Sequence, residues 1–191
     1  KMLVNSIPNG KKITLIEDTM DSHIKELYPE KDINSWRTLT ESSREKPVNY
    51  NDLIKAGLRN NPDWLIIAET RGSEAYDMLE SALTDHAIIT TIHAKRAEAI
   101  PSRLLSMIGQ KYQVNEITNT LKIGIYMTLE ETEQGIQRFI REVVEFTGFS
   151  EKGVEFNPLY QVKKSFIRET SDYQQSIIMS PLSEESLLEL Q

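Results

Sequence analysis

Residues 64–75 read Trp64-Leu65-Ile66-Ile67-Ala68-Glu69-Thr70-Arg71-Gly72-Ser73-Glu74-Ala75, and this stretch decides the fold class. Trp64 to Ala68 is an unbroken apolar run, too short for a buried helix and of the length and kind of a strand covered on both faces. It ends in an acid, Glu69. Ser73 stands where a helix N-cap belongs, and Glu74 and Asp77 follow in the first turn, where the helix dipole favours negative charge. Ala75, Met78, Leu79, Ala82 and Leu83 then recur at i, i+3, i+4, i+7 and i+8, which is one apolar stripe. Buried strand, ionisable turn and amphipathic helix make a β-α unit, and repetition of that unit builds a parallel sheet.

The unit repeats outward in both directions. Upstream, Ile13-Thr14-Leu15-Ile16 is a second buried run, ending in Glu17-Asp18. A helix is predicted from about Asn51, stopped by Asn60-Asn61-Pro62. Downstream, Ala87 to Ile92 is a third apolar run, ending in His93, and a helix follows with Leu104, Leu105 and Ile108 inward and Pro101 either in its first turn or kinking it. Val114, Ile117 and Leu121 mark another helix. Ile123, Ile125, Met127 and Leu129 alternate as a strand, and Gln134-Gly135 turns the chain into a partner strand from Ile136 to Phe146. Residues 20–47, with Arg37 and Arg44, read as polar and irregular. Beyond Gly148 the pattern weakens, and Ser183-Glu184-Glu185 before Leu187, Leu188 and Leu190 reads as a capped terminal helix. The expectation is an α/β core over residues 1–147, with a mainly parallel sheet, helices on both faces and a closing hairpin. Residues 148–191 are expected to form a C-terminal extension.

Composition narrows the function classes. The chain has 191 residues, enough for one well-buried core plus an appendage. Its net charge of −7, without a clustered Lys/Arg face, argues against a nucleic-acid grip. There is no cysteine, hence no disulfide framework and no thiolate metal site. No stretch approaches the length of a transmembrane helix, so a membrane link is expected to run through a protein partner. The chain opens on Lys1-Met2-Leu3-Val4-Asn5-Ser6-Ile7, a helical pattern with no N-cap before it, and reads as starting inside a helix.

The chemistry lies in a coincidence of position. Three apolar runs end in ionisable groups: Glu17-Asp18, Glu69 and His93. Open parallel sheets bind ligands outside the carboxyl ends of their strands. Acids there can hold Mg²⁺ or orient a nucleophilic water, and a histidine can donate to phosphate.

Three boxes carry a family resemblance. Leu15-Ile16-Glu17-Asp18-Thr19 with Asp21 resembles the acidic box of the secretion, conjugation and type IV pilus traffic ATPases. Leu58-Arg59-Asn60-Asn61-Pro62 through Ala75 resembles their atypical Walker B segment. Thr84-Asp85-His86, with Thr91-Ile92-His93-Ala94, is similar to their histidine box. The order and spacing of all three match. The resemblance implies a RecA-like P-loop NTPase core working as a hexameric homo-oligomer, with ATP and Mg²⁺ at the subunit boundary. It implies a cytoplasmic location at the inner face of the membrane, beside an integral membrane platform protein. It gives Glu17 the role of the acid that activates water. Glu69 becomes the magnesium-associated acid, Asp18 a second metal-side carboxylate, and His93 the contact to the γ-phosphate. Arg37, Arg59, Arg71 and His86 become nucleotide-contacting residues.

Three positions depart from the pattern. Ala68 stands where the family has Gly, Asp85 replaces the Gly before the first histidine, and Asn61 replaces an Arg. No G-x-x-x-x-G-K-[ST] occurs in the 191 residues. The chain therefore reads as truncated after the P-loop, and alone it is expected to bind nucleotide poorly. The leading expectation is an ATP-hydrolysing motor domain for protein secretion, conjugation or pilus assembly. The alternatives are a non-catalytic ring or interaction module on the same fold, and a DNA-moving ATPase, which the acidic charge disfavours.

Overall fold

Five of the six residues of β1 (Lys12–Glu17) are buried, as expected of a strand flanked on both sides and covered on both faces. β2 (Asp32–Arg37) pairs with one edge of β1, β3 (Trp64–Ile67) with the other, and β4 (Ala87–Thr90) lies beyond β3. All four strands are parallel, in the order β2-β1-β3-β4. The computed structural model of the chain describes residues 1–39, 46–84, 86–109, 113–132, 135–167 and 172–183. It forms two compact units, Lys1–His93 and Ala94–Gln191.

In the first unit the alternation of β1 feeds two layers. Ile13 and Leu15 pack with Ile33 and Ile66, and with Val4 of α1 (Met2–Asn5), Ile7 and Ile24 of α2 (Ile24–Leu27). On the opposite face α3 (Tyr50–Leu58) approaches closely at Gly57. A Cβ there would stand 3.2 Å from Thr14 Cγ2 and 3.5 Å from the Trp36 ring. The sheet is therefore parallel with helices on both faces. Each fully buried aliphatic side chain contributes about 1.5–3 kcal/mol relative to exposure, so the β1 row alone anchors the layer.

Residues 20–47 correct the expectation of an irregular segment, since α2 and β2 lie inside it. β2 is an edge strand, and Asp32-Ile33-Asn34-Ser35-Trp36-Arg37 buries only Ile33 fully, which leaves too little apolar patterning to read. The buried Lys31 just before it donates to the Ile7 carbonyl, to the Asn5 carbonyl (3.3 Å) and to Asn9 Oδ1 (3.1 Å), closing the C-terminal end of α1. Asn61, in the place of the family arginine, takes a left-handed backbone (φ 48°) before the buried Pro62, a conformation that Asn tolerates better than most residues. Asp85 and Arg44 lie outside the described residues.

In the second unit, after a 3₁₀ turn (Ala97–Ala99), α5 (Ile100–Ile108) and α6 (Val114–Thr120), the chain forms an antiparallel sheet. Its strands are β5 (Ile123–Thr132), β6 (Gly135–Ser150), β7 (Gly153–Ile167) and β8 (Asp172–Met179), hydrogen-bonded in that order. The expected hairpin is present as β5–β6, and the chain beyond it continues into the same sheet. The expected division near residue 147 falls inside β6. Register shifts between Val143 and Val144, and between Phe146 and Gly148, move the apolar residues out of strict alternation, so the pattern fades where the strand continues. Ala97, Val144 and Phe146 form the core of this unit, packed with Ile100, Leu121, Tyr126, Val154 and Phe156. Met127, one of the alternating apolar residues of β5, is 57% exposed. Buried Glu145 accepts hydrogen bonds from Asn157 Nδ2 (3.1 Å), Ser183 N (2.8 Å) and Ser183 Oγ (2.7 Å). The expected terminal helix lies outside the described residues. Among the described residues no helix is long and apolar enough to cross a membrane.

Candidate functional site at the carboxyl edge of the parallel sheet

β1 is followed in the chain by its neighbour on one side, while β3 and β4 lie on its other side. Strand progression thus reverses between β1 and β3, and in open α/β sheets the crevice at that reversal is where ligands bind. The carboxyl ends of these two strands carry Glu17-Asp18 and Glu69.

Arg71 spans the reversal point. Its Nη2 donates to Glu69 Oε2 at 2.5 Å and its Nη1 to Asp18 Oδ2 at 3.2 Å. The guanidinium holds the Glu69 carboxyl below the usual carboxylate range, and Glu69 in turn raises the arginine further above its already high value. Glu69 therefore stays ionised throughout the neutral range. His93 Nε2 lies 3.1 Å from Glu69 Oε1, within ion-pair reach but off the hydrogen-bonding direction. The His93 ring is otherwise open to solvent.

Three contacts bring His93 to Glu69. Thr70 N donates to the Thr91 carbonyl (2.8 Å), Thr91 Oγ1 donates to the Ala68 carbonyl (2.6 Å), and the Thr70 and Thr90 hydroxyls bond each other (2.8 Å). These tie the ends of β3 and β4 together past the last ladder bonds.

The turn carrying Arg71 is capped differently from the sequence expectation. Ser73 occupies the N-cap of α4 (Glu74–Ala82) but has helical dihedrals and makes no side-chain cap bond. Instead buried Glu74 reaches back, its Oε1 accepting from Arg71 N (2.5 Å) and Gly72 N (2.8 Å). The backbone of Arg71 is thereby fixed, while its side chain remains 63% exposed.

Glu17 is 2% exposed. Its Oε1 is buried and has no hydrogen-bond partner. A bare buried carboxylate oxygen costs free energy unless a water or ligand satisfies it. Tyr50, at the start of α3, was not singled out by the sequence. Its hydroxyl is buried beside Asp18 without an aligned partner. Burial, and then the Asp18 charge, push it up to about 12, so it stays a neutral donor. Only its position directly after the capping residue Asn49 hinted that it lies at the sheet's carboxyl edge.

The other predicted residues separate into two places. Arg37 ends β2, in register with Glu17, at this same edge. It is exposed and forms no ion pair among the described residues. Arg59 caps the C-terminal end of α3, where the neighbouring Asn60 carbonyl accepts from Lys12 Nζ at the start of β1 (2.6 Å). His86 directly precedes β4 and meets Thr84 Oγ1 at 3.2 Å. Both stand at the amino edge of the sheet, away from Glu17, Asp18, Glu69, Arg71 and His93. Among the described residues no three His, Asp or Glu side chains converge as a metal cage.

Fold and edge together describe an α/β protein with an acidic, arginine-bridged carboxyl edge at a sheet switch point. The chain belongs to the family described as Type II/IV secretion system protein, which matches residues 1–155. It is 33% identical over 167 residues to an uncharacterized protein of Bacillus anthracis, a match covering 81% of this chain and 36% of that protein. It is 29% identical over 125 residues to the type IV secretion system protein VirB11 of Brucella suis, covering 61% of this chain and 32% of VirB11. The crystal structure of that VirB11 ATPase in complex with sulphate superposes with a TM-score of 0.61 at 23% identity, over 75% of this chain and 43% of that one. The pilus retraction motor PilT with bound ADP gives a TM-score of 0.53 at 19% identity, over 75% and 41%. The chain thus spans about a third of the length of these curated relatives.

Proposed function

We propose that the carboxyl edge of this sheet is the hydrolytic side of a magnesium–ATP site. In this reading the protein is an ATPase motor that powers protein secretion, conjugation or type IV pilus assembly. The observation that carries it is Arg71 joining Asp18 and Glu69 across the switch point, with the bare buried oxygen of Glu17 one residue before Asp18. Family membership supports the same reading, as do the superposed VirB11 ATPase and the ADP-bound PilT motor.

The residues fit the group they would hold. Asp18 and Glu69 already bind a cation, the guanidinium, and are placed to share a magnesium ion with phosphate oxygens and water, the usual manner of Mg²⁺ in phosphate sites. When bound, the metal supplies charge neutralisation on the phosphates. Glu17, through its bare buried oxygen, accepts a proton from an attacking water and orients it. His93 donates to the terminal phosphate, and Glu69 holds its ring in place. Arg37 supplies positive charge at the same edge. Arg59 and His86, on the opposite edge, serve the nucleotide of a neighbouring subunit in a RecA-like hexameric ring. A phosphate-binding loop outside these 191 residues completes the site. The motor works at the cytoplasmic face of the membrane against an integral platform protein.

The test is ATP turnover by the full-length polypeptide with Mg²⁺. Glu17→Gln keeps the shape and removes the base, and is expected to lower kcat on the order of 10²–10⁴-fold. Glu69→Gln is expected to abolish the metal dependence along with turnover. Wild-type turnover in both variants would refute the assignment.

A further inference from the structure

The carboxyl edge carries its own cation on an arm that is fixed at one end and free at the other. Glu74 pins the Arg71 backbone through Arg71 N and Gly72 N. The side chain beyond is 63% exposed and is positioned by its bonds to Glu69 and Asp18. An arginine does not deprotonate in a protein, so it cannot vacate a carboxylate by losing its charge. It leaves only by swinging away. A guanidinium donating to both acids also occupies lone pairs that a metal would need.

Resting on the magnesium–nucleotide reading above, we infer that Arg71 is an exchangeable counter-ion. It holds Asp18 and Glu69 until a metal–phosphate ligand binds, then releases at least one carboxylate and presents its freed N–H donors to phosphate. The exchange keeps charges matched throughout. Two carboxylates are never left bare, and the arginine passes from one anion to another. The planar five-donor fork suits both partners, since carboxylate and phosphate accept it in the same bidentate way. Arg71 is then a positioning residue before binding and a phosphate contact after it.

Metal binding without nucleotide separates this from a structural role. Mn²⁺ binding to the full-length polypeptide is measured by electron paramagnetic resonance for wild type, Arg71→Gln and Arg71→Lys. Loss of the competing guanidinium is expected to tighten Mn²⁺ binding in Arg71→Gln by roughly threefold to tenfold, the scale of two partly exposed ion pairs. Inorganic phosphate binding at saturating Mn²⁺ is expected to weaken in the same variant. Arg71→Lys, which keeps charge without the fork, falls between for both ligands and controls for loss of fold. Unchanged or weaker Mn²⁺ binding in Arg71→Gln, with binding still abolished by Asp18→Asn combined with Glu69→Gln, overturns the exchange and leaves the proposed function standing. Mn²⁺ binding that ignores the Asp18→Asn/Glu69→Gln pair overturns the exchange together with the metal assignment it rests on.

Discussion

Glu74→Ala removes the cap that fixes the turn at the carboxyl edge of the sheet, and its cost can be worked from the geometry. Two backbone donors lose a carboxylate acceptor, at 2.5 and 2.8 Å. Hydrogen bonds to a charged group contribute about 1.5–3 kcal/mol each, and the cost of leaving a donor unmet is similar. Arg71 is exposed and Gly72 half-buried, so water re-satisfies part of the loss, and about 2 kcal/mol is expected. In a chain of this size that corresponds to a fall in Tm of roughly 4–8 °C. Glu74→Gln keeps one acceptor oxygen without the charge and is expected to lose about half as much. Urea unfolding followed by tryptophan fluorescence is the assay, because Trp36 and Trp64 both lie in the parallel-sheet unit and report it selectively. A second readout is the Glu69 carboxyl, followed by NMR titration. Its lowered value depends first on Arg71, so a loosened turn moves it back up toward the ordinary range. A loss below about 0.5 kcal/mol, the scale of an uninvolved surface change, with an unmoved Glu69 titration, would refute the view that Glu74 positions Arg71.

Two further outcomes follow from buried polar groups. The Tyr50 hydroxyl is raised to about 12; its stabilising contribution is complete below the unfolded value near 10 and is lost as pH rises through the folded value. The unfolding free energy from urea titrations should therefore fall between pH 10 and 12 by about 1 kcal/mol, discounted for partial exposure, and Tyr50→Phe should flatten that fall. Lys31→Met strips three acceptors at the end of α1 and is expected to cost about 2–4 kcal/mol in the same unfolding assay.

The legible parts of the fold were those whose burial is complete. β1 and β3 announce themselves because both faces are covered, so Ile13–Ile16, broken only by the buried Thr14, and Leu65–Ile67 read as buried runs, while β4, a half-buried edge strand, is marked by the apolar Ala87-Ile88-Ile89. Their ends are marked by the ionisable residues that close the runs, Glu17-Asp18, Glu69 and His93, although polar residues commonly follow strands and each one alone is weak evidence. β2 was not, because an edge strand may carry Asp, Asn and Ser at half-exposed positions. β7 and β8 were not, because bulges in β6 dissolve the period that the reading depends on. In the site, Glu17, Asp18, Glu69, Arg71 and His93 followed from strand ends and motif order. Tyr50 and Glu74 did not: one acts through a hydroxyl at the start of a helix, and the other reverses direction to cap the turn before it. Neither behaviour is encoded in residue spacing. Arg59 and His86 were named from motif adjacency along the chain, which does not say which end of a strand a residue occupies; a parallel β-α unit sends the start and the end of each strand to opposite sides of the sheet.

The hydroxyl and carbonyl contacts between Thr70, Thr90, Thr91 and Ala68 have a mechanical side. They clamp two strand tips into one lever, with Glu69 on one prong and His93 on the other. Neither prong can be displaced without dragging its twin. The peptide bond after His93 is also where the backbone passes out of the parallel-sheet unit.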